Sequence, residues 1–199
     1  MALRYARRQG TSSDKKQGPG GLLRLVLSIA LIAWLIRSFV FAPFNIPSGS
    51  MLPALFIGDY VMVAKWPYGF SRYSFPWGFP SFGGRMFEDL PERGDVVVFR
   101  APGTDDDFIK RVVGLPGETI EGRNGSIFIN QKPLDEPYLP PDVRSRDFPP
   151  EKIPPEKYYV LGDNRQDSRD STFFHAIDES AIVGRAFVKI WPLSDLGLL

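Results

Sequence analysis

The 199-residue sequence has no cysteine, and His175 is its only histidine. Without cysteine the chain can form neither a disulfide nor a thiolate nucleophile, and a single histidine leaves no Cys/His cluster for a metal. An excess of charge of one sign is also missing, because 24 lysines and arginines against 23 acidic residues give a net charge of +1. Such a balance creates no overall field that would attract nucleic acid. We therefore expect no metal, no cofactor and no nucleic-acid partner.

A long helical pattern is absent as well, apart from one apolar segment near the N-terminus. The 19 prolines and 19 glycines indicate many turns, and Asn124-Gly125 is a strong signal for a β-hairpin. Short runs rich in β-branched and aromatic residues, which are typical of strands, lie between the turn signals. These runs are 60–64, 95–99, 108–113, 119–122, 126–130, 158–161 and 182–190. The sequence predicts a mostly β fold, with one antiparallel domain of barrel or multi-sheet type over residues 45–199.

The apolar segment, residues 22–44, is almost wholly apolar, and its only charged residues are Arg24 near one end and Arg37 toward the other. In a helix, about 20 such residues cross the ~30 Å hydrocarbon layer of a membrane, and the arginines can reach the interface. A cleaved secretion signal is the alternative interpretation. Its only suitable cleavage site follows Ala42, and Pro43 directly after that bond makes it a poor substrate. We therefore predict one transmembrane helix over residues 21–44.

Basic residues flank this segment on one side only. Residues 1–20 hold five lysines and arginines and a single acid, together with many small polar residues, which is typical of a disordered tail. After the apolar segment, no lysine or arginine occurs until Lys65. The positive-inside rule then places residues 1–20 in the cytoplasm and residues 45–199 outside. We therefore expect the lipid bilayer to be a partner of this chain.

Two segments of the predicted external domain have unusual compositions. Residues 66–87 contain nine aromatic residues, with glycine and proline but little periodicity. Such a loop suits contact with a membrane interface or the lining of a binding groove, and a local hydrophobic mini-core is the alternative. Residues 132–155 are polar and dense in proline, so we predict a surface excursion that forms no core strand.

Ser50 is the first candidate for chemistry, because it lies in a short loop between Pro47 and Pro53. The two prolines fix the backbone on either side, although an ordinary turn has the same pattern. A serine nucleophile needs a base, and His175 lies in a polar segment that is more typical of a surface residue. Lysine can replace histidine when burial keeps it neutral near pH 7.

Lys110 and Arg111 are adjacent cations in one predicted strand. Alternation along a strand puts Lys110 on one face with Phe108 and Val112, and Arg111 on the other face. This alternation alone does not choose between them. Arginine stays protonated in proteins and cannot accept a proton, so Lys110 is the candidate base. A third segment, 162–171, has the composition of a solvated polar loop.

Five motifs occur in order along these segments. They are Pro-Ser-Gly-Ser-Met-x-Pro at 47–53, Ile-Gly-Asp at 57–59, Arg-Gly-Asp-Val-Val-Val-Phe at 93–99, Ile-Lys-Arg-Val-Val-Gly-Leu-Pro-Gly-Glu at 109–118 and Gly-Asp-Asn-Arg at 162–165. Together they resemble the bacterial type I signal peptidases, and five ordered motifs are far more specific than any one of them. The resemblance implies a serine endopeptidase of the bacterial inner membrane that removes signal peptides from exported preproteins after Ala-x-Ala-type ends.

The resemblance also implies roles for single residues. Ser50 is similar to the nucleophile of the family, and Lys110 to its general base. Ser48, together with the backbone N–H of Ser50, would form the oxyanion hole, and Ser168 would hydrogen-bond and orient the lysine. The loop around Ser168 would be supported by Asp163, Asp170 and Arg111.

The last motif departs from the family pattern at three positions. Gln166 stands where an aspartate is usual, Thr172 where an arginine is usual, and His175 where a glycine is usual. We expect a loop that is supported differently. None of these changes removes the nucleophile, the base, the oxyanion donor or the lysine-orienting serine, so they bear on the stability of the loop more than on activity. Two alternatives remain open: a related Ser/Lys peptidase of the pilus-processing or self-cleaving repressor kind, and a membrane-tethered binding module without catalysis.

Overall fold

The computed structural model describes residues 19–39, 41–65, 67–68 and 90–199. The predicted basic tail and the aromatic loop 66–87 therefore lie almost entirely outside the described residues. The chain divides into two compact units, the first ending at Trp34 and the second running from Leu35 to Leu199.

Helix α1, Pro19–Phe39, ends five residues before the predicted end of the apolar helix at residue 44. Residues Phe41–Asn45 form strand β1 instead. Pro43 explains this correction, because proline has no N–H to donate and disfavours helical backbone in the residue before it. Among the described residues, no helix is long and apolar enough to cross a membrane.

The second unit is built from strands that pair antiparallel. In chain order they are β1 (Phe41–Asn45), β2 (Tyr60–Ala64), β3 (Val96–Arg100), β4 (Asp107–Gly114), β5 (Thr119–Arg123), β6 (Ser126–Ile129), β7 (Lys132–Pro133), β8 (Phe148–Lys152), β9 (Lys157–Leu161), β10 (Ile177–Asp178), β11 (Ile182–Trp191) and β12 (Gly197–Leu198). The runs predicted as strands coincide with β2 to β6, β9 and β11 to within one residue at either end. The prediction of a mostly β, antiparallel fold is confirmed.

The strands form two sheets. The larger has the order β1-β2-β11-β3-β4-β9-β10, with β12 added to β11, and the smaller has the order β7-β6-β5-β8. Strand β4, which carries Lys110, is paired with β3 on one side and β9 on the other. The candidate base therefore projects from a strand that both neighbours hold in register.

The proline-rich segment 132–155 contributes strands β7 and β8 to the two edges of the smaller sheet. Edge strands tolerate proline because one side of the strand needs no N–H donor. Ile153, directly after β8, is completely buried in an apolar cluster with Ile120 and Tyr159. Both ends of the predicted excursion therefore belong to the smaller sheet, and the end at Ile153 also enters the core.

The chain that follows Ser50 is anchored in the apolar core. Met51 and Leu55 are completely buried, and they pack in one cluster with Val96 of β3 and Ile109 of β4. Burying side chains of this size stabilises a fold by roughly 1.5–3 kcal/mol each. This packing fixes the short loop that carries Ser50 against the strand that carries Lys110.

Candidate active site

Ser50 lies in a short 3₁₀ turn, Gly49–Met51, and its side chain is buried. The turn lines a cavity of about 510 Å³. The rest of the lining is formed by Pro47, Ser48, residues 106–110, Asp167 and Arg169. The cavity thus brings together the proline-flanked serine, the lysine strand and the polar loop 162–171, which lie far apart in the sequence.

Lys110 meets Ser50 in this cavity. Its Nζ lies 2.8 Å from Ser50 Oγ and 2.8 Å from the carbonyl oxygen of Ile109. The Lys110 side chain is only 4% exposed, and Nζ lies 5.4 Å from the centre of the Phe108 ring. A lysine amine that is held this close to a serine hydroxyl can accept its proton, provided that the amine is neutral.

Burial lowers the pKa of Lys110 from 10.5 to about 8. The cause is desolvation, since removing a cation from water disfavours the protonated form. The negative charges of Asp170 and Asp163 act in the opposite direction and raise the pKa, but less strongly. A substantial fraction of the lysine is therefore neutral at mildly alkaline pH.

Ser48 is the side chain with the best position to assist at Ser50. Its Oγ lies 3.3 Å from Ser50 Oγ, and the residue is exposed to the cavity side of the turn. A hydroxyl at this distance can rotate to donate to an oxyanion that forms next to the nucleophile. The geometry is compatible with the role that the resemblance implies for Ser48.

Asn164 connects the loop 162–171 to the serine turn, a role that the sequence pattern does not predict. Its backbone N–H donates to the carbonyl of Ser50 at 3.1 Å, and its side-chain amide donates to the carbonyl of Gly49 at 3.1 Å. The signal that could have found it is its place in the Gly-Asp-Asn-Arg motif. These two bonds fix the backbone on which the Ser50 hydroxyl is mounted.

Arg111 and Asp163, which do not line the cavity, form a buried bidentate pair. Arg111 Nε donates to Asp163 Oδ1 at 2.9 Å and Nη2 donates to Oδ2 at 2.6 Å, and Asp163 is fully buried. Asp170 has other partners: its carboxylate accepts from the backbone N–H of Gly162 at 3.0 Å and from the Thr172 hydroxyl at 2.8 Å. Asp163 therefore ties the start of the loop to Arg111 of β4, and Asp170 ties the end of the loop back to Gly162.

Ser168 differs from expectation. Its side chain is buried, but within the described part of the chain its hydroxyl has no hydrogen-bond partner. The bond to Lys110 that the resemblance implies is absent among the described residues, where Nζ is within hydrogen-bond distance of Ser50 Oγ and the Ile109 carbonyl. The role of Ser168 in orienting the lysine stays a prediction.

Each of the three departures from the family pattern has local contacts. The Gln166 side-chain amide donates to the carbonyl of Arg144 at 2.7 Å. Thr172 donates its hydroxyl to Asp170, which caps helix α2, Ser171–Phe174. His175 ends this helix and its ring nitrogen Nδ1 lies 3.1 Å from Glu151 Oε2. The loop is therefore supported without the usual arginine.

The backbone of His175 predicts the outcome of its replacement. Its φ of 64° and ψ of −166° lie in a region that essentially only glycine adopts, and its side chain is 76% exposed and absent from the cavity lining. His175→Ala should lower kcat by far less than the roughly hundredfold that removal of a general base costs.

The free energy of unfolding in urea should be about 1 kcal/mol higher for His175→Gly than for His175→Ala, since relief of backbone strain exceeds the entropy that glycine loses on folding. The contact with Glu151 is lost in both variants and cancels. Equal stability of the two would contradict the strained geometry.

Known proteins match most of this chain. The family model described as "Signal peptidase, peptidase S26" matches residues 21–191. A signal peptidase I of Leptolyngbya laminosa is 39% identical over 189 residues, which cover 90% of this chain and 82% of that protein. A signal peptidase IB of Staphylococcus aureus is 36% identical over 194 residues, which cover 87% of this chain and 92% of that protein. A crystal structure of a signal peptidase I from Enterococcus faecalis is 31% identical and has a TM-score of 0.44, covering 49% of this chain and 97% of that one.

Proposed function

This chain belongs to the signal peptidase family, peptidase S26, and we propose that Ser50 and Lys110 are its catalytic pair. As a member of this family it is a serine endopeptidase that acts on the signal peptides of preproteins. The observation that supports the pair is the 2.8 Å separation of Lys110 Nζ and Ser50 Oγ, with both side chains buried. The names of the relatives favour signal peptides as substrates over pilins or repressors.

In the first half of the reaction, Ser50 Oγ attacks the carbonyl carbon of the scissile peptide bond while neutral Lys110 takes the hydroxyl proton. The carbonyl oxygen becomes an oxyanion, which accepts hydrogen bonds from the Ser48 hydroxyl and the Ser50 backbone N–H. Each such donor contributes a few kcal/mol of transition-state stabilisation in comparable enzymes. The intermediate collapses when Lys110 returns the proton to the leaving amine, which leaves the signal peptide as an ester on Ser50.

In the second half, water attacks the ester carbonyl and Lys110 takes a proton from that water. The second tetrahedral intermediate collapses with return of the proton to Ser50 Oγ. The products are the signal peptide with a free carboxyl group, which releases its proton to water, and the regenerated enzyme. One group therefore alternates between base and acid, so the reaction needs no histidine.

Cleavage after an Ala-x-Ala-type end tests this function directly. We expect the purified full chain to cut a preprotein with such an end after the second alanine, as read by N-terminal sequencing of the product. Replacing either alanine by phenylalanine should lower kcat/KM by at least about tenfold, because shallow pockets exclude large side chains. Ser50→Ala gives the background rate. Equal cleavage of all three substrates would argue against the proposed specificity, and cleavage by Ser50→Ala would argue against the nucleophile.

We also propose that the apolar segment around α1 anchors the enzyme in the bacterial cytoplasmic membrane, with the N-terminus inside and residues 45–199 outside. The support is the apolar composition of residues 22–44, the one-sided basic flank, and apolar side chains such as Leu22, Val26 and Ile29 that are more than half exposed.

This topology predicts a simple result with spheroplasts. Protease added outside should digest the region 45–199, and an epitope at the N-terminus should stay protected until the membrane is permeabilised. Digestion is read by immunoblot against both ends of the chain. Protection of 45–199 with exposure of the N-terminal epitope would show that the orientation is wrong.

A further inference from the structure

A second cluster of charged side chains joins the proline-rich segment 132–155 to the loop 162–171. Its centre is Arg165, whose guanidinium binds the Glu136 carboxylate through Nη1 to Oε2 at 2.8 Å and Nη2 to Oε1 at 2.5 Å. Both side chains are largely buried, with 2% and 11% of their surface exposed. Arg165 also donates to Ser145 Oγ at 2.7 Å. A buried bidentate pair of this kind holds its two segments in one defined geometry.

Arg165 extends this contact to the serine turn. Its Nε donates to the carbonyl of Gly162 at 3.1 Å, so the ion pair fixes the tight turn from Gly162 onwards. Asn164, inside that turn, makes the two hydrogen bonds to the carbonyls of Gly49 and Ser50. A displacement of Arg165 would therefore also displace the backbone of Ser50, the proposed nucleophile.

Tyr138 makes a parallel connection to the strand that carries Lys110. Its hydroxyl donates to Glu136 Oε1 at 2.6 Å, and its ring lies 4.2 Å from the guanidinium carbon of Arg111. Burial and the neighbouring carboxylate both raise the pKa of Tyr138, so the hydroxyl remains a donor at neutral pH. Arg111 is adjacent to Lys110 and binds Asp163, so Tyr138 is connected to the site through Arg111.

Arg146, from the same proline-rich segment, holds the far end of the loop. Nη1 donates to the carbonyl of Ser168 at 2.8 Å, and Nη2 donates to the carbonyl of Gln166. The guanidinium also lies 5.0 Å from the centre of the Phe173 ring. These contacts reach the part of the loop in which Thr172 replaces the arginine that is usual in the family.

We propose that the proline-rich segment positions the catalytic pair, with Glu136, Tyr138 and Arg146 as positioning residues. They hold the loop 162–171 against the serine turn and so keep Ser50 within reach of a desolvated Lys110. This inference rests on the proposed Ser50 and Lys110 chemistry. None of the three residues lines the cavity, and they act only through Arg165, Arg111 and the loop backbone.

The test measures kcat, KM and the pH profile of Glu136→Gln and Arg146→Met in the full-length enzyme. We expect kcat per folded molecule to fall by roughly tenfold to a hundredfold, with KM nearly unchanged, because the reacting groups are misplaced while the cavity persists. The ascending limb of kcat/KM should move to higher pH, because a loosened loop admits water to Lys110 and raises its pKa towards the ordinary value. Tyr138→Phe, which retains the ring over Arg111, should show a smaller change than Tyr138→Leu.

Arg123→Met is the matched control. Arg123 also lies over a phenylalanine ring, that of Phe128 at 4.2 Å, but among the described contacts it pairs with Glu121 and does not reach the loop. It should keep the wild-type kcat and pH limb. If Glu136→Gln does not fold, as judged by circular dichroism, Arg146→Met decides. Wild-type kcat and pH limb in the folded variants would overturn the positioning role, whereas cleavage by Ser50→Ala would overturn the proposed function itself.

Discussion

Lys110→Arg is expected to abolish cleavage of a preprotein, with kcat falling by at least about a hundredfold, the low end of what a general base contributes. The substitution keeps the positive charge and approximate length of the side chain. A guanidinium, however, stays protonated and cannot take the Ser50 proton across the 2.8 Å contact. The rate should be measured under single-turnover conditions at pH 8, so that product release does not limit it.

Lys157→Arg is a suitable control for this substitution. Lys157 forms a surface ion pair with Asp178 at 2.9 Å, which arginine can also form. It should cleave at the wild-type rate. Near-wild-type kcat/KM in Lys110→Arg would show that Lys110 provides only positive charge, and the Ser/Lys mechanism would have to be abandoned.

The wild-type pH profile tests the role of Lys110 as the base in a second way. Because burial lowers the pKa of Lys110 to about 8, kcat/KM should rise with pH through that value as the lysine loses its proton. The folded pKa lies below the unfolded one, so between these values the unfolded chain binds more protons. Lys110 should therefore make the fold more stable as pH rises from about 8 towards 10.5, and Lys110→Met should lose this contribution.

The strands could be predicted from the sequence because each one is a local run of β-branched and aromatic residues, in which alternate side chains share a face. Strand β4 is an example: alternation placed Lys110 and Arg111 on opposite faces, and in the structure one contacts Ser50 and the other Asp163. The meeting of Ser50 with Lys110, 60 residues apart, has no such local code. That expectation came from the ordered motifs, which preserve a combination of residues that no single segment specifies.

The support of the site was not predictable in the same way. Glu136 and Arg165 are 29 residues apart, and a single charged pair between two loops leaves no periodicity in the sequence. A proline-rich polar segment is usually a surface excursion, so composition alone does not predict that Arg146 contacts the loop 162–171. The predicted end of the helix at residue 44 is wrong because apolar residues continue past Phe39 in the sequence. Pro43 and pairing with β2 make the residues after Phe39 a strand instead.

Gly162→Ala is expected to lower kcat by roughly a hundredfold or more, although Gly162 makes no side-chain contact of its own. A β-carbon at this position would lie 2.2 Å from Ser168 Oγ and 2.4 Å from the carbonyl oxygen of Ser50. Ser168 could rotate away, but the Ser50 carbonyl is backbone and can only move together with the serine turn. Such a movement breaks the alignment of Ser50 with Lys110 and the bonds from Asn164. Overpacking should also lower the free energy of unfolding by about 1–3 kcal/mol.

Gly197→Ala separates this steric effect from the general cost of replacing a glycine. A β-carbon at Gly197 would have no neighbouring atom within 4 Å, so this variant should keep both wild-type kcat and wild-type stability. Activity is measured per folded molecule, with thermal unfolding followed in parallel, at a temperature where both variants are folded. A folded Gly162→Ala enzyme with wild-type kcat would mean that the serine turn tolerates displacement by the loop. The close contact between Gly162 and the Ser50 carbonyl would then have no role in catalysis.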